Sequence, residues 1–278
     1  MSKFINVLRE LYTEPWLIRP DVHEQICRIV DAHIDGSAHE AGGIASLFGG
    51  EEKTDIVDIV DNVGVIAIDG VIGKRVSSLQ KSSGVVDVDE IQEKMMELVA
   101  NESIDGIVLD ISSPGGTVTG VPELAEYIRA ACNDKRVVAY TDTLMASAAY
   151  WIGSSAWAII AAPSSTVGSV GVYMSLLDQS RAVEMQGLKV ELIKAGKLKG
   201  IGLPGTSLTD EQRAYLQSRV DYLHEQFRGA VRSGRGVKVA DGVMEGQDFF
   251  GEQAAQVRLI DQVGTMQDAI NLAAKGDK

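Results

Sequence analysis

Short apolar runs alternating with helical patterns limit most strongly what this chain can become. Val63-Gly64-Val65-Ile66-Ala67-Ile68, Gly106-Ile107-Val108-Leu109-Asp110-Ile111, Val137-Val138-Ala139-Tyr140 and Ala158-Ile159-Ile160-Ala161 each read as a buried strand. Between them, residues 88–99 carry Ile91, Met95 and Leu98 at helical spacing, and residues 121–132 carry Leu124, Ile128 and Ala131. Buried strands separated by helices pair in parallel through right-handed crossovers, which predicts an α/β fold with a mostly parallel sheet. Further strands are expected at Val170–Met174 and Lys189–Ile193, and helices at 23–33, 179–186, 209–232, 252–259 and 265–274. Thr209 and Gln212 have the spacing of a capping box at the start of the long helix.

The pattern begins only near Val63. Before it, Gly36-Ser37, Gly42-Gly43 and Gly49-Gly50 loosen the chain. Residues 1–54 therefore read as an N-terminal extension and flexible linker, in which Leu8, Leu11 and Trp16-Leu17 could dock elsewhere. Residues 55–278 read as one domain. The N-terminus has no apolar core of a secretory signal, and no run is long enough for a membrane span, so no membrane anchor is expected. A net charge of −13 argues against a nucleic-acid partner, which calls for a basic face. Cys27 and Cys132 form no metal-binding or disulfide pattern, which fits a reducing cytoplasm. No metal site and no cofactor are expected.

The chemistry concentrates at two places. Ser113-Pro114-Gly115-Gly116 closes the strand 106–111, and Ser147 stands among small residues in Met145-Ala146-Ser147-Ala148-Ala149-Tyr150-Trp151. Adjacent glycines let backbone N–H groups approach a substrate, and such groups can hold an oxyanion. A serine at a helix start sits in a field that favours developing negative charge. Together these features point to a serine acyl-transfer enzyme. Ser113 and Thr117 read as turn and capping residues. None of His23, His33, His39 and His224 falls at the end of a core strand, where a serine-activating histidine belongs. Lys194, Lys197 and Lys199 follow an expected strand end. A lysine whose burial favours its neutral form can serve as the base, but composition alone does not choose among the three.

Taken in order, several segments resemble the S49 serine peptidases, the signal peptide peptidase A family. They are Ser113-Pro114-Gly115-Gly116, Ala146-Ser147-Ala148-Ala149-Tyr150, Thr166-Val167-Gly168-Ser169-Val170-Gly171-Val172, Ile193-Lys194-Ala195-Gly196-Lys197-Leu198-Lys199, and Gly251-Glu252-Gln253-Ala254 with Leu259-Ile260-Asp261-Gln262-Val263-Gly264. The resemblance covers roughly residues 60–275. It implies a Clp/crotonase-like spiral of repeated β-β-α units and a serine endopeptidase with a Ser147/Lys199 dyad. The oxyanion is expected at the N–H groups of Gly116, Gly115 and Ala148, and Ser169 is expected to orient the Lys199 ammonium. The resemblance also implies a homo-oligomeric ring acting on protein or peptide substrates. The family's usual Ala-Ser-Gly-Gly-Tyr reads Ala-Ser-Ala-Ala-Tyr here, which narrows the space around the serine. Thr13-Glu14-Pro15-Trp16-Leu17-Ile18 and the glycine-rich stretch resemble the subgroup found in tailed-phage and prophage capsid modules. That implies processing of capsid, scaffold or portal proteins during head assembly, in the host cytoplasm or the procapsid. The alternatives are a cytoplasmic signal peptide peptidase-like enzyme that degrades peptides and a catalytically silent capsid-associated subunit. A Clp subunit would need a histidine soon after the serine helix, and none occurs between Ser147 and Lys199. A crotonase usually lacks the serine–lysine pair.

Overall fold

The computed structural model describes residues 14–34, 56–81, 84–236 and 239–275. Leu8, Leu11, His39 and the glycine-rich stretch fall outside them. The chain forms two compact units. One comprises Leu17–Gly171 and Gln226–Lys278; the other comprises the described residues up to Trp16 and Val172–Glu225.

The first unit is built on β-β-α repeats. Strands β3 (Val63–Asp69) and β4 (Val71–Gly73) precede a helix at Val88–Ala100. β6 (Gly106–Ser112) and β7 (Gly115–Thr117) precede a helix at Val121–Ala131, and β8 (Arg136–Thr141) and β9 (Leu144–Ala146) precede a helix at Ala148–Gly153. β10 (Ala158–Ala161) and β11 (Thr166–Gly168) make a fourth strand pair. The longer first strands form one sheet in the order β13-β10-β8-β6-β3-β2, where β2 is Val57–Val60 and β13 is Gln262–Val263. Neighbours run parallel except β2 and β3. Asp61 and Asn62 join that antiparallel pair at φ 50° and 62°, as a two-residue hairpin turn requires.

The short second strands form two smaller sheets. One has the order β1-β7-β4-β5, with β1 at Trp16–Ile18 and β5 at Val85–Asp87. The other has the order β12-β11-β9, with β12 at Asp248–Phe250. Thus each repeat gives one strand to the main sheet and one to a sheet carrying the chemistry.

The predicted helix faces are the buried ones. Ile91, Met95 and Leu98 are buried with Val88, and Leu124, Ile128 and Ala131 with Val121 and Ala125. They cover strands whose Ile66, Ile107, Leu109 and Val137 are fully buried. Removing such side chains from water contributes about 1.5–3 kcal/mol each, which is how an aromatic-poor core holds together. A helix at Pro20–Ile34 contains the expected 23–33 segment, with Ile26 and Val30 buried. Its first residue is proline, whose missing N–H costs nothing at that position.

Two expected strands are absent. Lys189–Ile193 has no strand structure, and Ile193 is 95% exposed. Its alternating apolar residues satisfy the period, but among the described residues no strand lies beside it to complete a ladder. Val170–Met174 forms only an isolated bridge, Tyr173 with Trp16. Positive φ at Gly168 and Ser169 turns the chain there, and the Val170 carbonyl accepts from the Gly246 N–H at 3.0 Å instead. The long helix runs Asp210–Arg235. Thr209 and Gln212 exchange both capping-box bonds, at 3.0 and 3.2 Å. Among the described residues, no helix is long and apolar enough to cross a membrane.

Candidate active site

β9 delivers the serine and is held from both sides. On one side the Ser113 N–H donates to Leu144 O at 2.7 Å and the Ala146 N–H to Ser113 O at 3.1 Å. On the other, Ala146 stands opposite Gly168 of β11, and the Ser147 N–H donates to Gly168 O at 2.8 Å. The chain then reverses into the Ala148–Gly153 helix, where the Trp151 N–H donates to Ser147 O at 2.9 Å. Ser147 bridges strand and helix at φ 56° and ψ −118°. Residues with side chains rarely adopt this conformation, and it persists only where the surroundings impose it. The Ser147 hydroxyl does not cap its own helix, and the residue is 1% exposed. Ala148 is the first residue of that helix, so its N–H has no acceptor within it.

Gly115 lies against this corner at φ 99°. A Cβ there would sit 3.0 Å from both Ser147 Cβ and the Ala148 nitrogen. Its glycine identity therefore admits Leu17 O, 2.0 Å from that point, beside the serine corner, whatever its amide does. That amide donates to Ser113 Oγ at 3.2 Å. Gly116 stands opposite Ile72 of β4, and a Cβ on it would collide with Ile72 O. Ser169, at φ 54° and mostly buried, follows Gly168 and donates its N–H to Gln247 O at 2.8 Å.

Ser147, Ala148, Gly115, Gly116 and Ser169 are thus brought together in one unit. Lys199 belongs to the other unit and is exposed, with its N–H on Gly196 O at 3.1 Å. The three lysines differ in what holds them. Lys194 Nζ donates to Lys197 O at 2.8 Å, and Lys197 pairs with Glu211 at 3.6 Å. Among the described residues, no hydrogen bond or ion pair engages Lys199 Nζ. His23 lies on the Pro20–Ile34 helix and His224 on the Asp210–Arg235 helix. Among the described residues, no group of three or more potential metal ligands gathers.

Sequence reasoning missed what braces the serine helix from behind. Tyr150 is fully buried and its hydroxyl donates to Leu259 O at 2.7 Å. Burial raises its phenol well above the usual tyrosine range. Trp151 stacks on Phe227 at 4.7 Å between ring centroids. Arg235, with a side chain only 5% exposed, pairs with Asp261 at 2.7 Å, and Asp261 Oδ2 also accepts the Ile159 N–H at 2.7 Å. Burial works against the Arg235 charge, and the Asp261 carboxylate more than restores it. The only sequence signal for this brace was the order of the motif pieces, which does not say what they touch.

Residues 129–278 match the model of peptidase family S49. A protein of Methanocaldococcus jannaschii that carries a protease name is 36% identical over 180 residues, 63% of this chain and 57% of that protein. Capsid assembly protease C of Escherichia phage lambda is 28% identical over 240 residues, 85% of this chain and 55% of that protein. The chain spans about half the length of the curated relatives it matches. Among solved structures, a point mutant of ClpP1 from Listeria monocytogenes aligns at TM-score 0.46 and 13% identity, over 74% of this chain and 94% of that one.

Proposed function

Because the chain belongs to peptidase family S49, we propose that it is a serine endopeptidase whose nucleophile is Ser147 and whose base is Lys199. The observation that carries this reading is the backbone of Ser147. A serine held at φ 56°, between a strand end and a helix start, beside a glycine turn, supports a role in attack over one in packing. Its Oγ adds to the scissile carbonyl while neutral Lys199 accepts the proton. The carbonyl oxygen becomes an oxyanion, held by the N–H groups of Gly116 and Ala148. Gly115, whose amide is engaged with Ser113, serves chiefly by lacking a side chain. The lysine returns its proton to the leaving amine, and water then releases the acyl group by the same route. Ser169 orients the lysine ammonium. No cofactor enters this scheme.

The name of the phage lambda relative, a capsid assembly protease, supports a role in capsid assembly, and on this reading the substrates are capsid, scaffold or portal proteins. That setting is the host cytoplasm or the procapsid. A fluorophosphonate probe tests the core of the reading. Ser147 should be labelled, and Ser147→Ala should abolish both labelling and peptide cleavage. Lys199→Ala should remove most of the rate. Full activity in Ser147→Ala would refute the assignment. Full activity in Lys199→Ala would move the base to Lys194 or Lys197.

A further inference from the structure

The strand carrying the glycine turn has two edges. One faces β4, through Ile72 opposite Gly116; the other is filled by β1. The filling segment comes from the region that precedes the main fold in sequence, and it sits tightly. Leu17 is 0% and Ile18 2% exposed. Leu17 O lies 2.0 Å from the position a Gly115 Cβ would take, and that position is itself 3.0 Å from Ser147 Cβ and the Ala148 nitrogen. The Arg19 N–H donates to Pro114 O at 3.1 Å, and Arg19 is itself held by Asp21 at 3.0 Å and Asp248 at 3.6 Å. The backbone of this segment therefore packs against Gly115 on the same side of that glycine as Ser147 and Ala148.

We propose that Leu17–Arg19 occupies in cis the edge of β7 at which an extended, apolar peptide binds, and so keeps Ser147 closed until it is displaced. This rests on the peptidase reading above. Pairing along a strand edge uses main-chain groups, so it admits many sequences and leaves selection to the side chains. The side chains accepted here are Leu17 and Ile18, which identifies the ligand class as apolar. The occupant is joined directly to the Pro20–Ile34 helix. Such a tether gives the segment an effective concentration on the order of millimolar, more than a dilute substrate can match. Release therefore requires either a locally concentrated substrate or movement of the helix that anchors the strand.

The test uses the full chain carrying Leu17→Asp with Ile18→Asp, which places two charges where the native side chains are buried. Circular dichroism and melting establish that the variant is folded; if it is not, Arg19→Ala, which removes the anchor alone, takes its place. Labelling of Ser147 by a small fluorophosphonate should run about tenfold faster or more in the variant than in the native chain. A fluorescein-labelled peptide of residues 14–21 should bind the variant by anisotropy, bind the native chain far more weakly, and slow the variant's labelling. A scrambled peptide should do none of these. Labelling at the native rate, with no preferential peptide binding to the folded variant, overturns the proposal. If neither chain is labelled, it is the peptidase reading that has failed, and the anisotropy arm decides alone: binding to the variant but not the native chain upholds the occupied edge, and equal or absent binding overturns it.

Discussion

Tyr150 ties the serine helix to the chain at Leu259, and it does so as a neutral phenol in a fully buried site. The unfolded chain ionises that phenol near pH 10. The folded chain, with its ionisation raised, binds the proton more tightly, so this stabilisation is complete below pH 10 and is lost as pH rises beyond it. Tyr150→Phe should therefore melt lower at pH 7, by about 1–3 kcal/mol for the orphaned Leu259 carbonyl, and should lose stability less steeply above pH 10. Calorimetry across pH 7–11 checks both. Gly116 behaves differently, since no side chain can be added without moving backbone. Gly116→Ala should lower turnover by about a hundredfold or more and lower the melting temperature as well, because its Cβ collides with Ile72 O. Turnover and melting measured on one preparation test it. The glycine turn after the strand and the serine at the helix start were legible in the sequence, because a glycine pair at a strand end and a serine among small residues both mark a turn of the chain. Neither the engagement of the Gly115 amide with Ser113 nor the brace at Tyr150 was legible, because both join segments that local pattern does not relate.

Among the elements, the Asp210–Arg235 helix contributes its last turns as a clamp. A Cβ at Gly234 would collide with Ser154 O, so the helix meets the end of the serine helix backbone to backbone. Gly234→Leu should force them apart and cost more than the roughly 1–3 kcal/mol usual for overpacking, read as a fall in the denaturation midpoint. One residue on, the Arg235–Asp261 pair predicts an asymmetry. Asp261→Ala leaves a buried guanidinium and the Ile159 N–H unpaired and should cost about 2 kcal/mol, whereas Arg235→Met, with its partner half exposed, should cost less. Urea melts of the two variants decide. The four longer strands and the helices at Val88–Ala100 and Val121–Ala131 were readable because each buries a periodic face, whereas β4, β7, β9 and β11, at three residues each, are too short to show a period. Lys189–Ile193 misled because period specifies only which face would be buried, not whether a partner exists. At Val170 a left-handed serine ended the strand, and no propensity for that conformation marks a serine in advance.

At the scale of the whole molecule, Leu177, Met185, Leu188, Ile193 and Tyr222 are all exposed in the second unit. Ile59, Met96, Trp157 and Phe250 are likewise exposed in the first unit, so exposed apolar surface does not single out one contact, and the ring that the sequence resemblance implies is tested by mixing variants. A head-to-tail contact that closes generates such a ring. If neighbouring subunits complete each site, Ser147→Ala and Lys199→Ala will each be inactive, and a co-assembled mixture will regain part of the activity. Inactive mixtures with verified subunit exchange place the dyad within one chain. The backbone at Ser147 has a consequence for the molecule's balance of stability. A side chain held at positive φ costs about 1–3 kcal/mol, against a total of roughly 5–15 for a folded protein. Ser147→Gly relieves that strain. The inactive protein should then outlast the active one, melting about 2–4 °C higher for each kcal/mol released.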